Sequence, residues 1–162
     1  CSEPGRGTTF EIYLPRHVGD VPAMTDEAVA PVLGGTETVL LVEDELAILK
    51  MGRKMLELRG YTVLTASTPA EATRLVTAHV GEIHLLITDV IMPEMNGQDL
   101  AGDLVALCPH LKCLFMSGYT ADIIARHGVL NEGVNFIQKP FSSRELGAKV
   151  REILDKSQGR GG

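Results

Sequence analysis

Apolar residues in this chain fall into short continuous runs and spaced stripes that alternate over most of its length. Thr38-Val39-Leu40-Leu41-Val42 and Leu85-Leu86-Ile87-Thr88 are unbroken and β-prone, as expected of strands buried on both faces. Between them the spacing turns helical. Leu46, Leu49, Met55, Leu56 and Leu58 mark a helix over 45–59, and Gly60 stops it. A second strand is predicted at 61–65. Ser67 or Thr68 then caps a helix over 69–79 with Pro69 in its first turn, followed by a third strand at 84–88. A helix over 97–107 ends before Pro109, and a fourth strand covers 111–116. A helix at 120–131 precedes Gly133, and a fifth strand at 134–137 leads into Lys139-Pro140-Phe141. Ser142 or Ser143 caps the last helix, which carries Glu145 in its first turn and runs to about Lys156. Five such β-α units imply an α/β fold with a parallel sheet covered by helices on both faces. Its crossovers should be right-handed.

Upstream of residue 36 the pattern changes. Pro4-Gly5-Arg6-Gly7 reads as a Gly-rich turn, followed by a strand in which Phe10, Ile12 and Leu14 alternate with Glu11 and Tyr13 until Pro15. Residues 17–35 carry Gly19, Pro22, Pro31, Gly34 and Gly35 with little periodicity, which is the pattern of a linker.

Composition narrows the function classes. With 162 residues, 44% hydrophobic and 22% charged, the chain can bury one core of ordinary size and carry a short appendage. A net charge of -6, 4% aromatic residues and no Trp disfavour nucleic acid and anionic membrane as partners. Cys1, Cys108 and Cys113 show no metal-type spacing and are odd in number, so reduced thiols and a cytoplasmic setting are expected. No apolar run reaches membrane-spanning length. Because the first residue is Cys1 rather than Met, the chain is expected to be part of something longer, whose parent could be membrane-anchored. His17, His79, His84, His110 and His127 are scattered without ligand spacing and read as structural or solvated.

The candidate chemistry lies at strand ends. Parallel strands direct their carboxyl ends to one edge, where open α/β sheets hold ligands. Glu43 and Asp44 follow the first strand, Asp89 ends the third, Ser117 follows the fourth and Lys139 follows the fifth. Three acids gathered there need a cation, and carboxylates with few other ligands suit Mg²⁺. Lys139 and the Ser117 hydroxyl suit an anion. The set describes a phosphoryl group carried on the nucleophilic carboxylate of Asp89.

These residues stand in the runs Val39-Leu40-Leu41-Val42-Glu43-Asp44-Glu45, Thr88-Asp89-Val90-Ile91-Met92-Pro93-Glu94-Met95-Asn96-Gly97, Met116-Ser117-Gly118 and Gln138-Lys139-Pro140-Phe141. In order and spacing they resemble a response-regulator receiver domain over residues 36–156. The resemblance implies a doubly wound, five-stranded parallel sheet of flavodoxin-like order 2-1-3-4-5. It makes Asp89 the phosphoacceptor and assigns Mg²⁺ to Glu43, Asp44, Asp89 and the backbone carbonyl of Ile91. Ser117 would contact the phosphoryl group, Lys139 would pair with it, and Phe136 would be the switch aromatic alongside Ser117. The Lys139-Pro140 bond is a candidate cis peptide. Glu43 replaces the commoner Asp, and Phe136 lacks the hydroxyl of the commoner Tyr.

A second resemblance covers Ser2-Glu3-Pro4-Gly5-Arg6-Gly7-Thr8-Thr9-Phe10 through Leu14-Pro15, which is similar to the closing strand of a histidine-kinase ATPase domain. The implied organisation is a kinase remnant at 1–16, a linker at 17–35, the receiver at 36–156 and a tail at 157–162, all from a hybrid sensor histidine kinase. The implied function is a phosphorelay receiver with at most self-phosphorylation and self-dephosphorylation activity. Phosphorylation would switch the surface formed by the 120–131 helix, the fifth strand and the last helix. The implied partners are the dimerisation/phosphotransfer domain of a histidine kinase or a separate histidine phosphotransfer protein, with no nucleic acid, no membrane contact by the fragment and room for a homodimer. The alternatives are a pseudo-receiver that binds partners without phosphorylation and an Asp-nucleophile phosphatase. The phosphatase would want a second acid where Ile91 stands.

Overall fold

The computed structural model describes residues 2–3, 7–8, 13, 34–119 and 134–156. The chain divides into two compact units, residues 1–30 and residues 31–162. In the first, Ser2–Glu3 pairs antiparallel with Gly7–Thr8, in the register Ser2 opposite Thr8 and Glu3 opposite Gly7. Gly7, expected in the turn at 4–7, is paired here instead, and residues 4–6 lie outside the described residues. Of the strand expected at 10–14 only Tyr13 is described; it is exposed and outside any strand. The remainder of that strand, the linker segment 17–33, the helix expected at 120–131 and the tail 157–162 lie outside the described residues.

The second unit contains strands β1 (Thr38–Val42), β2 (Thr62–Ala66), β3 (Leu85–Asp89), β4 (Lys112–Ser117) and β5 (Phe136–Gln138). All four pairings are parallel and the spatial order is β2-β1-β3-β4-β5. This is the doubly wound, flavodoxin-like order 2-1-3-4-5. Helices α1 (Leu46–Glu57), α2 (Pro69–Ala78), α3 (Gly97–Leu107) and α4 (Ser143–Asp155) complete the described elements.

Alternation along the buried strands explains the continuous apolar runs. Leu40, Val42 and Leu86 point into one core with Ala72 of α2 and Leu100, Ala101 and Leu104 of α3. Val39, Leu41, Leu85 and Ile87 point into the other with Leu49 and Leu56 of α1 and Leu146, Val150 and Ile153 of α4. Each fully buried Leu contributes about 2 kcal/mol of transfer free energy, so neither face of β1 or β3 tolerates a polar residue at these positions. In α1 the buried positions are Leu49, Gly52 and Leu56, whereas Leu46 and Leu58 are exposed. Both therefore depart from the apolar stripe predicted for this helix: at 3.6 residues per turn Leu58 faces away from Leu49 and Leu56, and Leu46 sits at the margin of the stripe in the first turn.

Local chemistry sets the helix boundaries. Gly60 adopts a φ of 92°, which a side chain would disfavour, and turns the chain from α1 into β2. Thr68 caps α2 by accepting from the Glu71 amide, Asn96 caps α3 by accepting from the Asp99 amide, and Ser142 forms a capping box with Glu145 on α4. Cys113 is a half-buried thiol, and burial pushes its pKa up to about 11. Among the described residues no helix is long and apolar enough to cross a membrane.

Candidate functional site

β1, β3 and β4 all run toward one edge, and the residues at their carboxyl ends converge there. Glu43, one residue past β1, is 1% exposed and its amide donates to the Ala66 carbonyl at 3.2 Å. Its side chain turns back into the site and receives the Glu45 amide at Oε1, 3.4 Å away. Asp44 next to it is exposed. Asp89 is the last residue of β3, opposite Met116 in the register with β4. Its Oδ1 accepts from the Ile91 amide at 3.3 Å. Carboxylate oxygens of Glu43, Asp44 and Asp89 all lie within 4.8 Å of one another.

Lys139 supplies the charge that this acid cluster needs. Its ammonium donates to Glu43 Oε2 at 2.6 Å and to Asp89 Oδ2 at 2.8 Å, and both the lysine and Asp89 are 14% exposed. Burial raises Glu43 above the ordinary carboxylate range in spite of the lysine. Burial pulls Lys139 down, but hydrogen bonds to Asp89 and Glu43 outweigh it and raise its pKa. The lysine is held in place through its backbone, since its amide donates to the Ser117 carbonyl at 2.7 Å. The Lys139-Pro140 bond is cis.

Ser117 ends β4 fully buried, and its Oγ accepts from the Tyr119 amide at 3.1 Å. An oxygen that accepts there keeps its own hydrogen for another acceptor. Phe136 begins β5 opposite Phe115 and packs, half-buried, against the core on the α2 and α3 side. Ile91 and Tyr119 stand exposed on the loops that leave β3 and β4, at 55% and 54%. Gly97 is a feature to which the sequence assigns no role. A Cβ there would run into the Asp89 carbonyl oxygen, and its amide donates to the Val90 carbonyl at 2.9 Å. A side chain at 97 would push the loop off the backbone that carries Asp89. The signal in the sequence is a Gly at the first position of the helix over 97–107, where most residues are better helix formers.

The donor set is three carboxylates with no sulfur or imidazole, which is hard-oxygen chemistry and fits Mg²⁺. Lys139 bridges two of the three acids and compensates part of their charge.

Comparison with known proteins assigns the class. The sequence model of the family described as response regulator receiver domain matches residues 39–151. The chain belongs to this family and is a receiver domain of two-component signalling. It is 40% identical over 163 residues to sensor kinase CckA of Brucella abortus (strain 2308), a match covering 96% of this chain and 17% of that protein. It is 25% identical over 118 residues to response regulator SaeR of Staphylococcus aureus (strain USA300), covering 73% of this chain and 50% of SaeR. The chain thus spans half or less of the length of these curated relatives. Among solved structures, the receiver domain of hybrid histidine kinase CckA aligns at a TM-score of 0.61 and 33% identity, over 72% of this chain and 98% of that one. A receiver domain protein from Clostridium thermocellum aligns at 0.65 and 26% identity, over 75% and 97%. The resemblance read from the sequence, a receiver of the hybrid sensor kinase type, is what these likenesses return.

Proposed function

We propose that this receiver accepts a phosphoryl group from phosphohistidine onto Asp89. A carboxylate oxygen of Asp89 forms the new O–P bond while the N–P bond breaks, and the imidazole nitrogen leaves and takes up a proton. The observation that carries this reading is the convergence of Lys139 on Asp89 and Glu43 at the carboxyl edge of the sheet. A lysine that already contacts the Asp89 carboxylate is within reach of an oxygen bonded to it. Ser117, buried beside it with its hydrogen available, is positioned to donate to a second phosphoryl oxygen.

Glu43, Asp44, Asp89 and the Ile91 carbonyl are the groups that would hold Mg²⁺. Bound there, the ion supplies charge neutralisation at the phosphoryl oxygens. Movement of Ser117 and Phe136 toward the modified Asp89 would repack β5 and its neighbouring helices, a population shift between two arrangements. The phosphodonor class is the histidine of a kinase dimerisation domain or of a separate phosphotransfer protein, in keeping with the likeness to CckA. That likeness covers 96% of the chain and so extends beyond the receiver. It supports the division into a kinase remnant (1–16), linker (17–35), receiver (36–156) and tail (157–162).

Incubation with acetyl phosphate and Mg²⁺ followed by intact-mass measurement tests the reading. One added phosphoryl group in the native chain and none in Asp89→Asn is expected. Equal addition in both would overturn it.

A further inference from the structure

A second network joins α4 to the segment ahead of β1, at the start of the helix and again two turns farther along. At the start of α4, the Ser143 hydroxyl accepts from Arg59 Nη1, which also donates to the Met55 carbonyl. The Arg59 carbonyl in turn receives the Gly35 amide at 3.1 Å. A Cβ on Gly34 would run into the Arg59 carbonyl oxygen, so that position requires glycine, and one on Gly147 of α4 would displace the Arg59 guanidinium from its present place. Farther along α4, Arg151 Nη1 lies 2.8 Å from Glu37 Oε1 and 3.5 Å from the Tyr61 hydroxyl. Its Nε and Nη2 hold Asp155 Oδ1. Glu37 is the residue just before β1, and its carbonyl accepts from the Thr62 amide. Residues 34–37, through which the chain enters the receiver, are therefore tied to both ends of α4.

The other end of this connection is the phosphoacceptor site. Lys139 precedes the first helical residue, Ser143, by only the residues 140–142. A rigid helix passes a displacement at Ser143 to Arg151, about two turns away. The Arg151 network also holds an acceptor that is not in use. Glu37 Oε2 is buried and has no hydrogen-bond partner. Arg151 at present divides its fork between Glu37 and Asp155. A bidentate grip on both Glu37 oxygens would be a second arrangement of the same groups. An element with two such arrangements is what coupling between distant sites requires.

We propose that Arg151 and Glu37, with the Ser143–Arg59–Gly35 contact, couple α4 to residues 34–37, so that phosphorylation of Asp89 is read out where the chain enters the receiver. This rests on the phosphoacceptor reading above. Arg151 and Glu37 are positioning residues, distant from the reacting atoms. The device would let a receiver signal through its amino-terminal connection.

Amide NMR of the whole chain, with and without beryllium fluoride and Mg²⁺ as the acyl-phosphate mimic, tests the proposal. In the native protein, Gly35, Glu37 and Thr62 should shift together with the Asp89 loop and α4. In Glu37→Gln, the Asp89 loop and α4 should still respond, while the response at residues 34–37 falls by about half or more. Silence at 34–37 in the native chain, despite a response at Asp89, overturns the coupling whether or not the variant folds. An unreduced response in Glu37→Gln also overturns it. No response at Asp89 itself would instead remove the phosphoacceptor reading, and the coupling with it.

Discussion

Lys139 Nζ lies 2.6 Å from Glu43 Oε2, and Glu43 is almost completely buried. The pair is therefore both structural and competitive, since the lysine uses oxygens that a divalent cation would use. Replacing Lys139 with Met leaves a buried carboxylate uncompensated, at a cost of about 3 kcal/mol in metal-free buffer. Urea unfolding should show that loss, and added Mg²⁺ should recover more stability in Lys139→Met than in the native chain. A variant as stable as the native chain without metal would contradict this view of the pair.

Gly97 determines how closely the loop after β3 can lie on Asp89. Gly97→Ala brings its Cβ onto the Asp89 carbonyl oxygen, an overpacking that costs about 2 kcal/mol. Modification by acetyl phosphate should fall even at temperatures where the variant remains folded, because the loop is displaced from the acid. Thermal melts run beside intact-mass measurements separate the two effects.

Glu37 gives the protein a specific acid sensitivity. Burial raises its pKa, but its backbone hydrogen bond and Arg151 outweigh burial and hold it below the ordinary value of 4.5. The folded state therefore gains stability from ionised Glu37 above pH 4.5 and loses it as pH falls through the lowered value. Unfolding free energy measured between neutral and acid pH should decline through that window. In Glu37→Gln the curve should be flatter there, with lower stability at neutral pH. Identical slopes in the two proteins would rule out this contribution.

Ile91 and Tyr119 flank the site with exposed, bulky side chains. They are expected to restrict the approach of water to a phosphorylated Asp89. Ile91→Asn combined with Tyr119→Ala should accelerate loss of the phosphoryl group several-fold, as followed by mass after the donor is removed. An unchanged decay rate would show that the two side chains leave water access unaffected.

Much of this arrangement is legible in the sequence because strong local patterns carry it. The unbroken apolar runs at 38–42 and 85–88 read as buried strands, where Thr38–Val42 and Leu85–Asp89 stand, and α3 covers the 97–107 expected and stops ahead of Pro109. Adjacent hydroxyls were ambiguous. Ser67 and Thr68 have equal claims as a cap, and only the geometry selects Thr68, with Ser67 bonding the Glu71 carboxylate instead. Leu46 and Leu58 show the limit of counting apolar residues, since Leu58 lies on the far side of the helix from Leu49 and Leu56 and Leu46 at the margin of their stripe. The network joining α4 to the segment ahead of β1 was not legible. Glu37, Arg59 and Arg151 are ordinary surface types with no motif, and they meet only once the sheet order brings α4 against α1 and the start of β1. His84, read as structural or solvated, has a definite structural task, since its Nδ1 accepts the Thr38 amide at 3.1 Å.

The position of the covalent phosphate decides whether Asp89 is the phosphoacceptor. The chain treated with acetyl phosphate and Mg²⁺ is reduced with borohydride, which converts an acyl phosphate into a stable alcohol, and the peptides are then sequenced by mass spectrometry. Reduction at Asp89 is expected, with Glu43 and Asp44 unchanged. Reduction at either of those two acids, or none at Asp89, would contradict that assignment.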